Sequence, residues 1–391
     1  MPSPVMTGDG VDVPAGFVTY TGSAGVKDAT PDVSIVASEL PCTADGVFTR
    51  SLFAGPSVAL CRRHLSRGTA RAVLTISKNA NVATGPQGAD DAAELARLAA
   101  SAVGCAPQDV LVASTGVIGR RYPMDRLRVH FRGLQMPSSA DFPAVARAIM
   151  TTDTRPKLAS ARAGQATVTG VAKGSGMIEP DMATLLGYVF MDAAVPRDLL
   201  AGMFRRAVDS TFNCLSIDTD TSTSDTVLVL ANGAAGQVDA VELELALQAV
   251  CRSLTMQLAA DGEGATRALQ VTVREARDHA QAKRVAKAIV NSPLVKCAVH
   301  GADPNWGRVL MAVGKCWQDT DIRPEQVNVS FGSFEVYPRP LGDEELLRLA
   351  EIMRSGTLEI NVGLATGQAE ATVWGCDLSS EYVHINADYT T

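Results

Sequence analysis

Short apolar runs with strand character alternate along the chain with longer stretches in which apolar residues recur every three or four positions. The strand-like runs include VLTI at 73–76, VLVA at 110–113, TVLVLANG at 226–233 and ATVWGC at 371–376. The helical pattern is clearest at 90–103, 197–213, 239–260 and 280–291, where Asp or Arg lies opposite the apolar face and Gly stands near the ends. This alternation predicts a mixed α/β fold. Breaks are expected in the polar, Gly- and Pro-bearing stretches at 134–141, 154–166 and 318–326, none long enough to act as a flexible linker. No internal repeat, low-complexity tract or charge block interrupts the pattern.

Composition narrows the class. Of 391 residues, 46% are hydrophobic, enough for one large core or two smaller ones. The formal charge of −7 argues against a sequence-independent grip on nucleic acid, which draws on Lys and Arg contacts to phosphate. The N-terminal MPSPVMTGDGVDVPAG has no basic segment followed by an apolar one, and no stretch reaches the roughly 20 apolar residues that span a bilayer. A cytoplasmic protein without membrane or nucleic-acid partners is expected. The eight cysteines contain no C-x-x-C pair and the five histidines no H-x-x-x-H spacing, so free buried thiols and no metal are expected. KGSGM at 173–177, DGEGA at 261–265 and STGVIG at 114–119 each match a nucleotide-binding loop only in part, and no cofactor is expected.

The stretch GMIEPDMATLLGYVF at 176–190 carries the candidate chemistry, a step from Ala183 to Thr184 just ahead of an apolar run. Taken alone, it reads as the start of a buried strand with Thr184 an ordinary β-branched residue. A Thr at a chain's own N-terminus is different, because its α-amine, with a pKa of about 7.7 to 8.0, serves its hydroxyl as general base. Thr184 gains that amine only if the 183–184 bond is broken. Its hydroxyl can attack the preceding carbonyl, so that an ester replaces the amide and water releases it. Pro180 restricts its own φ and biases Glu179 toward extended backbone, which suits a turn presenting the bond, and small Ala183 leaves the attacked carbonyl uncrowded.

KGSGMIEPDMATLLGYVFMDA, together with STGVIGRRYPMDRL, AIMTTDTRPK, FNCLSIDTDTSTSDTVLVLANG, DGEGAT, NSPLVKCAVHGADPNWGRV and the terminal INADYTT, resembles the ornithine acetyltransferases, also called glutamate N-acetyltransferases. The matches run from about residue 46 to the last, and IMTTDTRPK and SIDTDTSTSDT are closest to the members encoded with clavulanic acid biosynthesis. The resemblance implies a two-sheet α/β/β/α sandwich akin to the N-terminal-nucleophile hydrolases. It implies self-cleavage between Ala183 and Thr184 into an α chain, 1–183, with the oxyanion site and part of the pocket, and a β chain, 184–391, that begins with the nucleophile. The processed pair is expected as a dimer of heterodimers. Its substrates would be N2-acetylornithine and glutamate, with the acetyl group passing through an acetyl-Thr184 ester and no need of acetyl-coenzyme A.

The same resemblance assigns further residues. Thr115 and Gly116 match an oxyanion site, the hydroxyl of one and the N–H of the other acting as donors; by themselves they read as a turn ending a strand. Lys173 and Glu263 match substrate contacts, Glu263 either binding a substrate nitrogen or assisting proton transfer; by themselves they read as a solvated Lys beside a turn and a helix-end Glu. Thr152, with Thr151 as the alternative, Asn386 and Thr391 match additional substrate contacts, although INADYTT alone reads as a frayed tail. Asp303, Asn305 and Arg308 in DPNWGR are expected to organise a loop near the pocket. Ser175 and Glu179 depart from the small or neutral residues of many relatives. Two other classes stay open: an amidase or aminopeptidase in which water takes the acyl group, and an uncleaved relative that only binds an amino acid.

Overall fold

The computed structural model describes residues 4–179, 185–354 and 356–388. Among these, the first sheet takes the strands β1 (Met6–Thr7), β2 (Phe17–Gly22), β3 (Val33–Phe48), β4 (Thr69–Ile76) and β5 (Val110–Ser114). It continues with β6 (Lys157–Ala163), β7 (Ala166–Lys173), β8 (Leu186–Ala193) and β9 (Thr226–Gly236). A second sheet holds β10 (Ala268–Ala276), β11 (Asn328–Phe331), β12 (Phe334–Tyr337), β13 (Thr357–Gly363) and β14 (Ala369–Cys376). The helices in the first half are α1 (Pro56–Leu65), α2 (Gly85–Val103), α3 (Met124–Phe131) and α4 (Phe142–Ala148). Those in the second are α5 (Arg197–Ser210), α6 (Ala240–Ala259), α7 (His279–Val290), α8 (Pro293–Gly301), α9 (Gly307–Gly314), α10 (Asp343–Met353) and α11 (Ser380–Asp388). No helix among the described residues is long and apolar enough to cross a membrane.

The first sheet runs β1-β6-β7-β8-β9-β3-β4-β5, with β2 also on β3. Its shape follows from β3, whose register against β4 breaks between Ala37 and Cys42, at a stretch containing Pro41, which has no N–H to give a ladder. Beyond the break β3 pairs with β9. The two halves of the sheet then face one another. Tyr188 and Phe190 of β8 and Leu228 and Leu230 of β9 share one core with Val73 of β4, Leu111 of β5 and Phe142 of α4. Thr75 Oγ1 donates to Tyr188 Oη across that gap at 2.9 Å.

Strand alternation sends the remaining side chains outward. Leu74, Ile76, Val110 and Val112 meet Leu95 and Ala99 of α2, while Val189, Met191, Val227 and Val229 meet Phe204 of α5 and Leu247 and Val250 of α6. The expected α/β/β/α sandwich is present, its two β layers being halves of one continuous sheet. The second sheet runs β12-β11-β13-β10-β14 and packs with α7 on the far side of α6, merging into the same outer core. The helical stretches at 90–103, 197–213, 239–260 and 280–291 correspond to α2, α5, α6 and α7.

The expected break at 154–166 is instead largely strand. Its polar residues are held by distant partners: Lys157 is fully buried between two aspartates, Ser160 Oγ accepts the Asp12 N–H at 2.9 Å, and Arg162 pairs with Asp12 at 3.0 Å. The turn between β6 and β7 is confined to Gly164 and Gln165.

Candidate active site

A cavity of about 270 Å³ opens where β5 and β7 end and β8 and β9 begin. Its wall on the β5 side is the turn after Ser114. The Thr115 N–H donates to Ile76 O at 3.1 Å, and Gly116 then passes with φ at 130° against the Lys78–Asn79 peptide. A Cβ on Gly116 would lie 2.5 Å from Asn79 N, so only glycine admits this approach. The Thr-Gly pair is therefore built into the backbone crossing rather than being an incidental turn.

Lys173 ends β7 and faces the cavity from a buried position, 3.8 Å from Asp153 Oδ2. The other Asp153 oxygen lies 2.7 Å from Lys157 Nζ and accepts the Gly174 N–H at 2.6 Å. Lys157 also pairs with Asp261 at 2.5 Å. Burial works to raise the Asp153 carboxyl, but the ammoniums of Lys173 and Lys157 and the donated hydrogen bonds hold it at about 2. Burial lowers the Lys173 ammonium, with Asp153 opposing it. The nearest counter-ion of Lys173 is thus shared with a second Lys, which leaves its Nζ able to meet a carboxylate ligand.

The opposite wall comes from the segment after α6 and from α11. The Glu263 N–H donates to Ser175 O at 2.7 Å, and Asn386 Nδ2 donates to Glu263 Oε2 at 3.0 Å. Thr152 and Ser175 share a hydroxyl contact of 2.7 Å, which gives Ser175 a defined role in the wall. Thr151 also lines the cavity, so both threonines are in reach of a ligand. The tail is not frayed through Asp388: α11 packs its backbone against Gly264, where φ is 68°, and Tyr382 reaches Asp218 at 3.4 Å.

The residues around the expected break in the chain are firmly held. Asp218 accepts the N–H groups of Met177 at 2.6 Å and Ile178 at 2.8 Å, and Glu179 pairs with Lys287 at 2.8 Å. Downstream, Leu185 O accepts the Thr226 N–H at 2.9 Å and Leu186 begins β8. Ala183, Thr184 and Thr391 lie outside the described residues. Leu185, which follows Thr184, lines the cavity.

Thr115, Gly116, Thr152, Lys173, Glu263 and Asn386 are thus brought together in one cavity. Asp303, Asn305 and Arg308 are not among its lining residues. Arg308 pairs with Asp303 at 3.1 Å and donates to Leu294 O at 2.8 Å, which ties α8 to α9. Asp153, Asp218, Asp225 and Asp261 were missed from sequence. For Asp218 and Asp261 the available signal was an acidic residue standing directly beside an apolar run, where burial demands a partner; Asp153 and Asp225 stand between Ser and Thr residues and gave no such signal.

The ArgJ family model matches residues 19–391. The chain is similar to Arginine biosynthesis bifunctional protein ArgJ 2 of Nostoc sp., at 53% identity over 97% of this chain and 98% of that one. It is also similar to Glutamate N-acetyltransferase Oat2 of Streptomyces clavuligerus, at 51% identity over 97% of this chain and 98% of that one. With relatives of this kind along nearly its whole length, the chain is an acyltransferase. More narrowly, it belongs to the ArgJ family, several of whose named members are arginine biosynthesis bifunctional proteins.

Proposed function

We propose that the chain moves the acetyl group of N2-acetylornithine to glutamate by a ping-pong mechanism, through acetyl-Thr184, giving ornithine and N-acetylglutamate. The observation that carries this reading is the convergence of Thr115, Gly116, Lys173, Glu263 and Asn386 on one small cavity that the residue after Thr184 also lines. Donor and acceptor each bring a carboxylate and a reacting nitrogen. Lys173 suits the first, and Glu263, fixed by Asn386, suits the second. At about 270 Å³ the cavity suits one amino acid at a time, which favours a covalent relay over a complex of both substrates.

In this mechanism the chain first cleaves itself between Ala183 and Thr184, leaving an α chain of 1–183 and a β chain of 184–391, which pair as a dimer of heterodimers in the cytoplasm. The freed α-amine takes the hydroxyl proton as Thr184 attacks the acetyl carbonyl. Negative charge then develops on the carbonyl oxygen, where the Thr115 hydroxyl and the Gly116 N–H stabilise it, a donor of this kind being worth roughly 3 kcal/mol. Ornithine leaves, glutamate enters the same cavity, and its amine takes the acetyl group from the ester.

Incubation with N2-acetylornithine, with and without glutamate, tests the reading. N-acetylglutamate should form only with glutamate, and free acetate released at the full rate without it would overturn the transferase in favour of a hydrolase. A denaturing gel with N-terminal sequencing should give two chains, the second starting at Thr184, and Thr184→Ala should leave one chain and no transfer.

A further inference from the structure

Asp225 stands directly before β9, is 1% exposed and lines the cavity. Its Oδ2 has no hydrogen-bond partner among the described residues. Its backbone carbonyl, by contrast, is engaged. Asp225 O accepts the Thr49 N–H at 3.0 Å, and the next N–H, of Thr226, donates to Leu185 O at 2.9 Å. Because β8 and β9 run parallel with Leu186 opposite Thr226, Asp225 is level with Leu185, the residue that follows position 184.

Other buried carboxyls in this molecule are used to build it. Asp153 and Asp261 hold Lys157, and Asp32 accepts the N–H groups of Ala24 and Val26. Asp45 Oδ2 also lacks a hydrogen bond, but Arg205 lies 3.6 Å away. Among the described residues Asp225 forms no ion pair. Of the described charged side chains that also line the cavity, Lys78 pairs with Asp28 and Lys173 with Asp153. Burying a carboxyl on such terms weakens the fold, and a group retained at that cost belongs to the chemistry of the site.

We infer that Asp225 holds the proton exchanged with the substrate amine in both half-reactions, an inference that rests on the acetyl transfer proposed above. Burial raises its carboxyl well above the usual carboxylate range, against pulls from Ser222, Lys173 and Thr49, a shift toward the neutral acid. In the first half-reaction the Thr184 hydroxyl oxygen bonds to the acetyl carbon and its proton passes to the Thr184 α-amine. The C–N bond to ornithine breaks as Asp225 gives its proton to the leaving nitrogen. The acetyl-enzyme then carries an ammonium at Thr184 and a carboxylate at Asp225. In the second half-reaction glutamate attacks the ester carbon as its neutral amine and passes its surplus proton to Asp225. The bond to the Thr184 oxygen breaks, and that oxygen recovers its proton from the ammonium. No further reactant is needed.

Wild type, Asp225→Asn and Asp225→Glu are compared in steady-state and single-turnover transfer across pH. Asp225→Asn should melt no lower than wild type yet lose roughly 100-fold or more in kcat, the size of general acid–base catalysis, with KM for N2-acetylornithine changed by less than about threefold. Asp225→Glu should recover part of the rate with a displaced pH profile. A wild-type measurement stands beside these: the infrared difference spectrum on acetylation by donor labelled with carbon-13 in its acetyl carbonyl, which should show loss of a protonated carboxyl band. Transfer by Asp225→Asn within about threefold of wild type overturns the inference. So does an infrared spectrum with no such loss, even if the variant fails to fold. A wild type that transfers nothing would instead remove the proposed acetyl transfer, so the two failures are distinct.

Discussion

Asn386 of α11 donates to the Glu263 carboxylate at 3.0 Å, so a helix close to the C-terminus fixes a side chain of the cavity wall. Asn386→Ala frees Glu263 to rotate and removes a hydrogen bond to a carboxylate. We expect KM for N2-acetylornithine to rise about tenfold, the effect of a contact worth roughly 1.5 kcal/mol, with kcat little changed. The residue is exposed, so the melting temperature should stay within a few degrees. Steady-state kinetics and a thermal melt check both.

Gly116 and Thr115 should respond differently. Gly116→Ala forces a Cβ into the Lys78–Asn79 peptide at a φ that L residues avoid, and should cost about 2 kcal/mol or more of stability along with activity. Thr115 is only half-buried. Thr115→Ala should lower kcat by roughly 100-fold while leaving stability within about 1 kcal/mol. Urea unfolding beside kcat separates the two.

The buried ion network predicts an acid limb. The Asp153 carboxyl is held at about 2 in the folded protein, against about 3.9 in an unfolded chain. Its contribution to stability is therefore complete above pH 4 and disappears as pH falls toward 2. Wild type should lose stability through that window. Asp153→Asn, which leaves Lys157 and Lys173 short of a counter-charge, should be about 3 kcal/mol less stable at neutral pH and lack this part of the acid dependence. Denaturant midpoints measured from pH 2 to 7 decide it.

The sandwich itself can be tested at Tyr188. Removing its hydroxyl strands the buried Thr75 Oγ1 on the other β layer. Tyr188→Phe should cost about 1 kcal/mol in urea unfolding and leave transfer unchanged, because neither residue lines the cavity.

Local periodicity made α2, α5, α6 and α7 legible, since each has an apolar face at helical spacing and each packs that face on a sheet. It failed at 157–163, where Lys157, Ser160 and Arg162 look like loop residues until their partners at Asp12, Asp153 and Asp261 are brought in from far along the chain. The fold of the sheet onto itself was equally hidden, because a register break at Pro41 is a property of pairing and not of one strand. At the site, motif resemblance picked out Thr115, Lys173 and Glu263. Asp225 escaped, since STSDT is the same string whether its carboxyl faces water or a buried cavity.

The strand order has a consequence for how such a molecule matures. β8 and β9, downstream of the expected scission point, are inserted between β7 and β3, both upstream of it. The fragments would be interlocked like the fingers of two hands, so scission cannot let them drift apart. Conversely, the upstream fragment made alone would be missing the middle of its own sheet, which makes assembly of the unbroken polypeptide the natural prerequisite for its maturation.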